Sequence, residues 1–187
     1  MSFTVALVIL VGLLTVLNLG LTVGVIRRLR EHTERLSGKA AVRSSGPKVI
    51  AQPGDHAQSF AAVTVDGESV SDAELVGAPT LVGAFAYGCT SCEERRPAFV
   101  EFAKRFPGGR DRVLAVLVGG EDDLTAERAM LEPVARLVLQ AEPGTGMTAA
   151  LGVKGYPAFA VFGADGAVLS SGTDVADLEA LPAVVRA

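Results

Sequence analysis

Metal ligands are scarce in this chain, which has two cysteines and two histidines among 187 residues. A structural zinc site takes four Cys or His ligands, usually as two pairs. Cys89 and Cys92 make one pair, and no second pair exists to complete the set. His32 falls in a polar stretch and His56 in the loop "PGDHAQSF", where a surface position is expected. No metal, and no cofactor beyond the cysteine pair itself, is therefore expected. Charge is missing altogether from Phe3 to Ile26, where Leu, Val, Ile, Gly and Thr dominate. At about 1.5 Å per residue such a run is long enough to cross a bilayer core. It does not read as a cleaved secretory leader. Met1-Ser2 carry no basic residue, the apolar run is too long, and "TVGVIRRLR" makes a poor cleavage site. A basic surplus is missing from the remainder. Residues 1–50 hold seven Lys and Arg against two Asp and Glu (+5), residues 51–187 ten against nineteen (−9), for −4 overall. That acidic balance excludes nucleic-acid binding, which needs a basic face for the phosphates.

What is present falls into three parts. Residues 1–26 are expected to be a transmembrane anchor, with the membrane contacted through residues 3–26. Residues 27–47 follow as a polar stalk and linker that ends in the loop-forming "SSGP". Residues 48–187 form the globular domain. In it, "SFAAVTV" reads as a strand running into an Asp66-Gly67 turn, with "ESV" returning. "TLVGAFAY" (80–87) and "RVLAVLV" (112–118) are nearly all apolar, as strands buried on both faces of a sheet are. "SCEERRPAFVEFAKRF" (91–106) is helical, with Phe99, Phe102, Ala103 and Phe106 spaced to line one face. "TAERAMLEPVAR" (125–136) reads as partly helical, "LVLQ" (137–140) as a short strand and "GMTAALGV" as a turn or two of helix. "AFAVFG" and "AVLSSG" flank Ala164-Asp165-Gly166, a hairpin signal, and "DVADLEALPAVVR" makes a last amphipathic helix. Alternating β and α segments with a late antiparallel hairpin give a three-layer α/β domain.

The cysteine pair sits between a buried strand and a charged helix, in "AYGCTSCEERRP". A structural disulfide closing so short a loop constrains the unfolded chain little, so chemistry is the better reason for the pair. A helix starting near Cys89 would aim its free N–H groups and positive end at that sulfur and favour a thiolate there. Cys92, almost one turn on, could then resolve a mixed disulfide formed at Cys89.

Three separated features resemble the thioredoxin-like superfamily: the buried strand leading into Cys-x-x-Cys, Pro97 eight residues after Cys89, and "VKGYPAFAVFGADGAV" (153–168). The resemblance implies an α/β/α domain with a mixed central sheet, with Cys89 and Cys92 as the catalytic residues. It also implies a cis bond before Pro157, placing that proline beside Cys89, with Tyr156 offering backbone groups to an extended substrate. "PGDHAQSFAAVTVDGESVSDAELVGAPTLVGAFAYGCTSC" widens the match to membrane-anchored TlpA/ResA-type thiol–disulfide oxidoreductases. The stalk "RRLREHTERL" and the tail "GTDVADLEALPAVV" resemble the MauD-like branch. The resemblance spans residues 3–187 and implies protein thiol or disulfide substrates, with room for a membrane redox partner.

The departures from that pattern are informative. Gly88 stands where a Trp commonly precedes the first cysteine. Thr90-Ser91 replace a pair that usually contains Pro, and their hydroxyls are candidates for contact with substrate or thiolate. Gly83 stands where thioredoxins place a buried Asp, and Arg95 where ResA-like proteins place an acid. Arg95 and Arg96 are candidates for stabilising the thiolate, but surface pairing with Glu93 and Glu94 is the commoner fate and the expectation adopted. A peroxidase of the peroxiredoxin type is excluded, because Val82 and Ala86 occupy the positions of its Pro and Thr. The remaining alternative is a tethered maturation or binding module that delivers a metal or a partner protein. Two signals for topology conflict. Arg27, Arg28 and Arg30 directly after the span place the domain on the cytoplasmic side. The resemblance implies an extracytoplasmic domain, and that is the expectation adopted.

Overall fold

The computed structural model describes residues 48–179, together with the helical residues Leu7, Gly12 and Thr15. The expected span 3–26, the stalk and the end of the last helix lie outside the described residues. Among those described, no helix is long and apolar enough to cross a membrane.

The domain opens with β1 (Ala61–Val63) and β2 (Ser69–Ser71), an antiparallel hairpin with Ala61 opposite Ser71. Its turn passes through Gly67 at φ 81°, a left-handed conformation that glycine adopts without penalty. The central sheet then forms from β3 (Thr80–Ala86), β4 (Val113–Val118), β5 (Arg136–Gln140), β6 (Ala158–Phe162) and β7 (Val168–Gly172), in the order β5-β4-β3-β6-β7. β3, β4 and β5 run parallel, whereas β6 is antiparallel to β3 and β7 to β6, so the sheet is mixed.

Both faces of the sheet are covered, which is why its strands read as continuous apolar runs. Side chains alternate between the faces along each strand. Leu81 and Phe85 of β3, Ala115 and Leu117 of β4, and Phe159 and Val161 of β6 point one way. They meet Phe99 and Ala103 of α1 (Thr90–Lys104), Leu131 of α2 (Thr125–Leu131) and Leu178 of α4 (Ala176–Glu179). Val82, Ala84, Leu114, Val116, Ala160 and Phe162 point the other way, against Met147 and Ala150 of α3 (Gly146–Ala150) and Val70 of the hairpin. The domain is therefore a three-layer α/β/α sandwich. α2 is shorter than the 125–136 segment read as partly helical. It stops at Leu131, with Glu132 still helical at φ −55° and ψ −38° as the C-cap, because Pro133 has no N–H to continue the ladder, and Arg136 already pairs with Leu114 in the sheet.

Candidate active site

β3 delivers the chain to the cysteines. After Ala86 the Tyr87 N–H donates to the Val118 carbonyl at 2.8 Å, and the chain turns at Gly88 with φ 66°. A Trp in that left-handed conformation would be strained, so the glycine here is a requirement of the turn. Cys89 is the N-cap of α1, in extended conformation. Its carbonyl accepts from the N–H groups of Cys92 (2.9 Å) and Glu93 (3.1 Å), and its Sγ accepts from the Cys92 N–H at 3.2 Å. The helix thus offers a free N–H and its positive end to this sulfur. Cys89 and Cys92 are joined in a disulfide, with Cα atoms 5.2 Å apart. Cys89 is half-buried, while Cys92 is fully enclosed by the core that holds Phe85 and Phe99. The outer sulfur is open to a partner and the inner one is not.

Thr90 and Ser91 lie exposed in the first turn of α1. Pro97 lies inside the helix and is exposed. The Tyr156–Pro157 bond is cis. Pro157 directly precedes β6, whose Ala158 stands opposite Ala84 of β3, so the register brings Pro157 to the end of the strand that leads into Cys89. Pro157 is buried and Tyr156 half-buried. Tyr156 and Cys89 pack against the same core cluster. The Tyr156 hydroxyl is buried and has no hydrogen-bond partner. Thr148 is near, but its hydroxyl donates to the Thr145 carbonyl and accepts from Gln140 Nε2 and the Gly144 N–H. Burial pushes the Tyr156 phenol above its ordinary value, with Thr148 opposing the shift.

Beneath α1, Gly83 leaves room for an aromatic wedge. A Cβ at that position would stand 2.6 Å from Phe99 Cζ. Phe99 stacks on Phe159 at 5.2 Å and meets Phe85 edge-on at 5.3 Å. The space in which a buried acid would sit at position 83 is filled by a phenyl ring.

The arginines depart from the expected surface pairing with Glu93 and Glu94. Arg95 Nε donates to Asp174 Oδ2 at 3.3 Å, across to the segment after β7. Arg96 is 6% exposed. Its Nη2 lies 3.5 Å from Glu127 Oε1 of α2, and its Cζ stands 5.8 Å from the centre of the Phe85 ring. The physical reason is helical phase: Cys92, Arg96, Phe99 and Ala103 form the buried stripe of α1. Sequence reasoning missed the burial of Arg96 and missed Glu127 altogether. The 92–96–99–103 spacing was the signal for the first, and nothing comparable marked the second. Among the described residues no three His, Cys, Asp or Glu side chains gather as metal ligands.

No protein-family model matches the chain, and no curated protein matches it. Solved structures do. One is a thioredoxin-family thiol:disulfide interchange protein from Chlorobium tepidum TLS, 26% identical with TM-score 0.52, covering 69% of this chain and 93% of that one. Another is the thioredoxin domain of a thiol-disulfide oxidoreductase from Bacteroides vulgatus, 18% identical with TM-score 0.51, covering 67% and 91%. A third is a thiol:disulfide interchange protein from Bacteroides sp., 18% identical with TM-score 0.51, covering 68% and 86%. The fold is thioredoxin-like, with the mixed central sheet expected.

Proposed function

We propose that this chain is a membrane-anchored thiol–disulfide oxidoreductase that exchanges disulfides with protein substrates at Cys89 and Cys92. The oxidoreductase reading is carried by one observation, a Cys-x-x-Cys disulfide at the start of α1 on a thioredoxin-like fold, with one sulfur accessible and the other enclosed. A substrate thiolate attacks Cys89 Sγ, the Cys89–Cys92 bond breaks, and its electron pair stays on Cys92 Sγ. A second substrate thiolate then attacks the substrate sulfur of the mixed disulfide and frees Cys89 as a thiolate. Two substrate thiols become a disulfide and the protein pair gains two electrons; the reverse sequence reduces a substrate. The N–H that Cys89 Sγ already accepts stabilises the thiolate at that position. Thr90, Ser91, Tyr156 and Pro157 are the proposed substrate-contacting residues. The first two are exposed beside the pair, and Tyr156 packs against the same cluster as Cys89.

Anchoring is supported by the uncharged run from Phe3 to Ile26 and by the polar segment 27–47 that separates it from the domain. The same stalk and the tail after Gly172 are the basis for the MauD-like branch. The domain is placed outside the cytoplasm, against the sign of Arg27, Arg28 and Arg30, with a membrane redox partner setting the pair's oxidation state. Reduction of insulin disulfides by the purified chain, with its metal content measured alongside, tests the central reading. Turnover without metal is the expected result, and bound metal without turnover would point to a delivery module. Labelling of Cys89 in intact cells by a membrane-impermeant maleimide after mild reduction tests the topology. A chain that reacts only after lysis has its domain on the inner side.

A further inference from the structure

Breaking the Cys89–Cys92 bond puts negative charge on Cys92, which is 0% exposed. Burial disfavours a thiolate and pushes a thiol's pKa up, so the compensating charge has to come from the protein. Gly83 offers no side chain, and the N–H at the helix start is already directed at Cys89 Sγ.

Arg96 follows Cys92 by four residues, so the two side chains share one face of α1. Helical side chains lean toward the N-terminus, which carries Arg96 over the turn that holds Cys92. Both are buried, and the ring under the guanidinium, Phe85, belongs to the same core cluster as Cys92. Glu127 engages Nη2, while Nε is buried with no hydrogen-bond partner as long as the disulfide is closed. A buried donor without an acceptor is rare in folded proteins and asks for an explanation. Reduction of the pair creates the acceptor.

We infer that Arg96 is the counter-ion of the Cys92 thiolate, with Glu127 holding the guanidinium in place between turnovers. In the exchange written above, the electron pair released by the Cys89–Cys92 bond comes to rest on Cys92 Sγ and is met by the Arg96 cation and its free Nε–H. No proton is needed at that step. The other charged and titratable groups around the pair are accounted for. Glu93 and Glu94 are exposed on α1, Arg95 is held by Asp174 after β7, Tyr87 is exposed at the end of β3, and Tyr156 precedes β6. The inference rests on the oxidoreductase reading and deepens it.

The chain has two cysteines and two tyrosines, so Cys89→Ser leaves Cys92 as its sole thiol, and the ultraviolet absorbance of the thiolate titrates that residue once the tyrosine contribution of a chain lacking both cysteines is subtracted. In this background, on the full chain in detergent, adding Arg96→Met is expected to raise the Cys92 midpoint by about one unit or more, the reach of a close opposite charge. Arg96→Lys is expected to recover part of that shift. Glu127→Gln, which frees the guanidinium from its carboxylate, is expected to lower the midpoint and also covers the case in which Arg96→Met does not fold. An unmoved midpoint in a folded Arg96→Met chain, or in Glu127→Gln, overturns the inference. Insulin turnover by the unsubstituted chain is scored separately. Its absence would remove the oxidoreductase reading, whereas the titration reports on Arg96 whether or not turnover is found.

Discussion

The two faces of the central sheet are both fully apolar in outline, yet they are built differently. The face under α1 is a mesh of three phenyl rings, Phe85, Phe99 and Phe159, with Cys92 in the same cluster. The face under α3 is mostly aliphatic, with Val82, Ala84, Val116 and Ala160 against Met147 and Leu151, and its two rings, Phe60 and Phe162, stand among those side chains. Among the described residues Arg96 is the buried charged side chain, and it stands over a ring of the first face. Burial alone therefore does not distinguish the working side of the sheet from the supporting side. The distinction lies in which face accepts a sulfur and a guanidinium, and rigid rings hold those groups where adaptable aliphatic packing would let them drift.

Substitutions on the two faces can break or sharpen this contrast. The largest expected effect is on turnover. Cys89→Ser is expected to abolish insulin reduction, whereas Met147→Leu, a volume-conserving change on the α3 face, is expected to leave the rate at that of the unsubstituted chain. Comparable losses in both variants would erase the contrast. Next comes Phe99→Ala, expected to destabilise by about 3–5 kcal/mol, because a fully buried ring stacked on Phe159 is removed. Denaturant unfolding measures this. A smaller effect, about 1–3 kcal/mol, is expected for Gly83→Ala, whose new methyl group overpacks the same ring. The two changes are expected to couple, since the ring the methyl would strike is gone in the double variant. Simple additivity would show that the ring can move aside.

The smallest effect concerns Tyr156, whose phenol burial holds above its ordinary value of 10.0. A raised folded-state value means that the stability it contributes is complete below that ordinary value. It is lost as pH rises through the raised one. Tyr156→Phe removes a buried hydroxyl that has no partner, so stability near neutral pH is expected to change little. The fall of stability between moderately and strongly alkaline pH is expected to be shallower in the variant. An identical alkaline fall in both chains would mean that the phenol is hydrated in the folded state.

Much of this arrangement was legible beforehand, for identifiable reasons. The runs at 80–87 and 112–118 are too uniformly apolar to be one-sided strands, and both lie inside the sheet. Asp66-Gly67 and Ala164-Asp165-Gly166 announced turns, and glycines at φ 81° stand in both. The cysteines declared themselves by sitting between a strand and a helix. The order of strands was not legible in periodicity, because apolar runs carry no information about neighbours; the resemblance implied a mixed central sheet and no more. The burial of Arg96 escaped because the phase of α1 was set on its phenylalanines, with Phe102 counted as a core residue although it is only half-buried. Charged residues also read as solvated unless a partner is in view, and Glu127 lies 31 residues further along the chain. Gly83 was visible as a missing acid, but that Phe99 fills its place is a tertiary fact.

The central claim is that the accessible sulfur of Cys89 meets the substrate and the enclosed sulfur of Cys92 resolves the mixed disulfide. Expressing Cys92→Ser and Cys89→Ser chains and resolving their adducts on non-reducing gels tests it directly. The account predicts reducible adducts with substrate proteins in Cys92→Ser, where the resolving thiol is gone, and none in Cys89→Ser, whose remaining thiol is buried. Equal trapping by the two variants would contradict it.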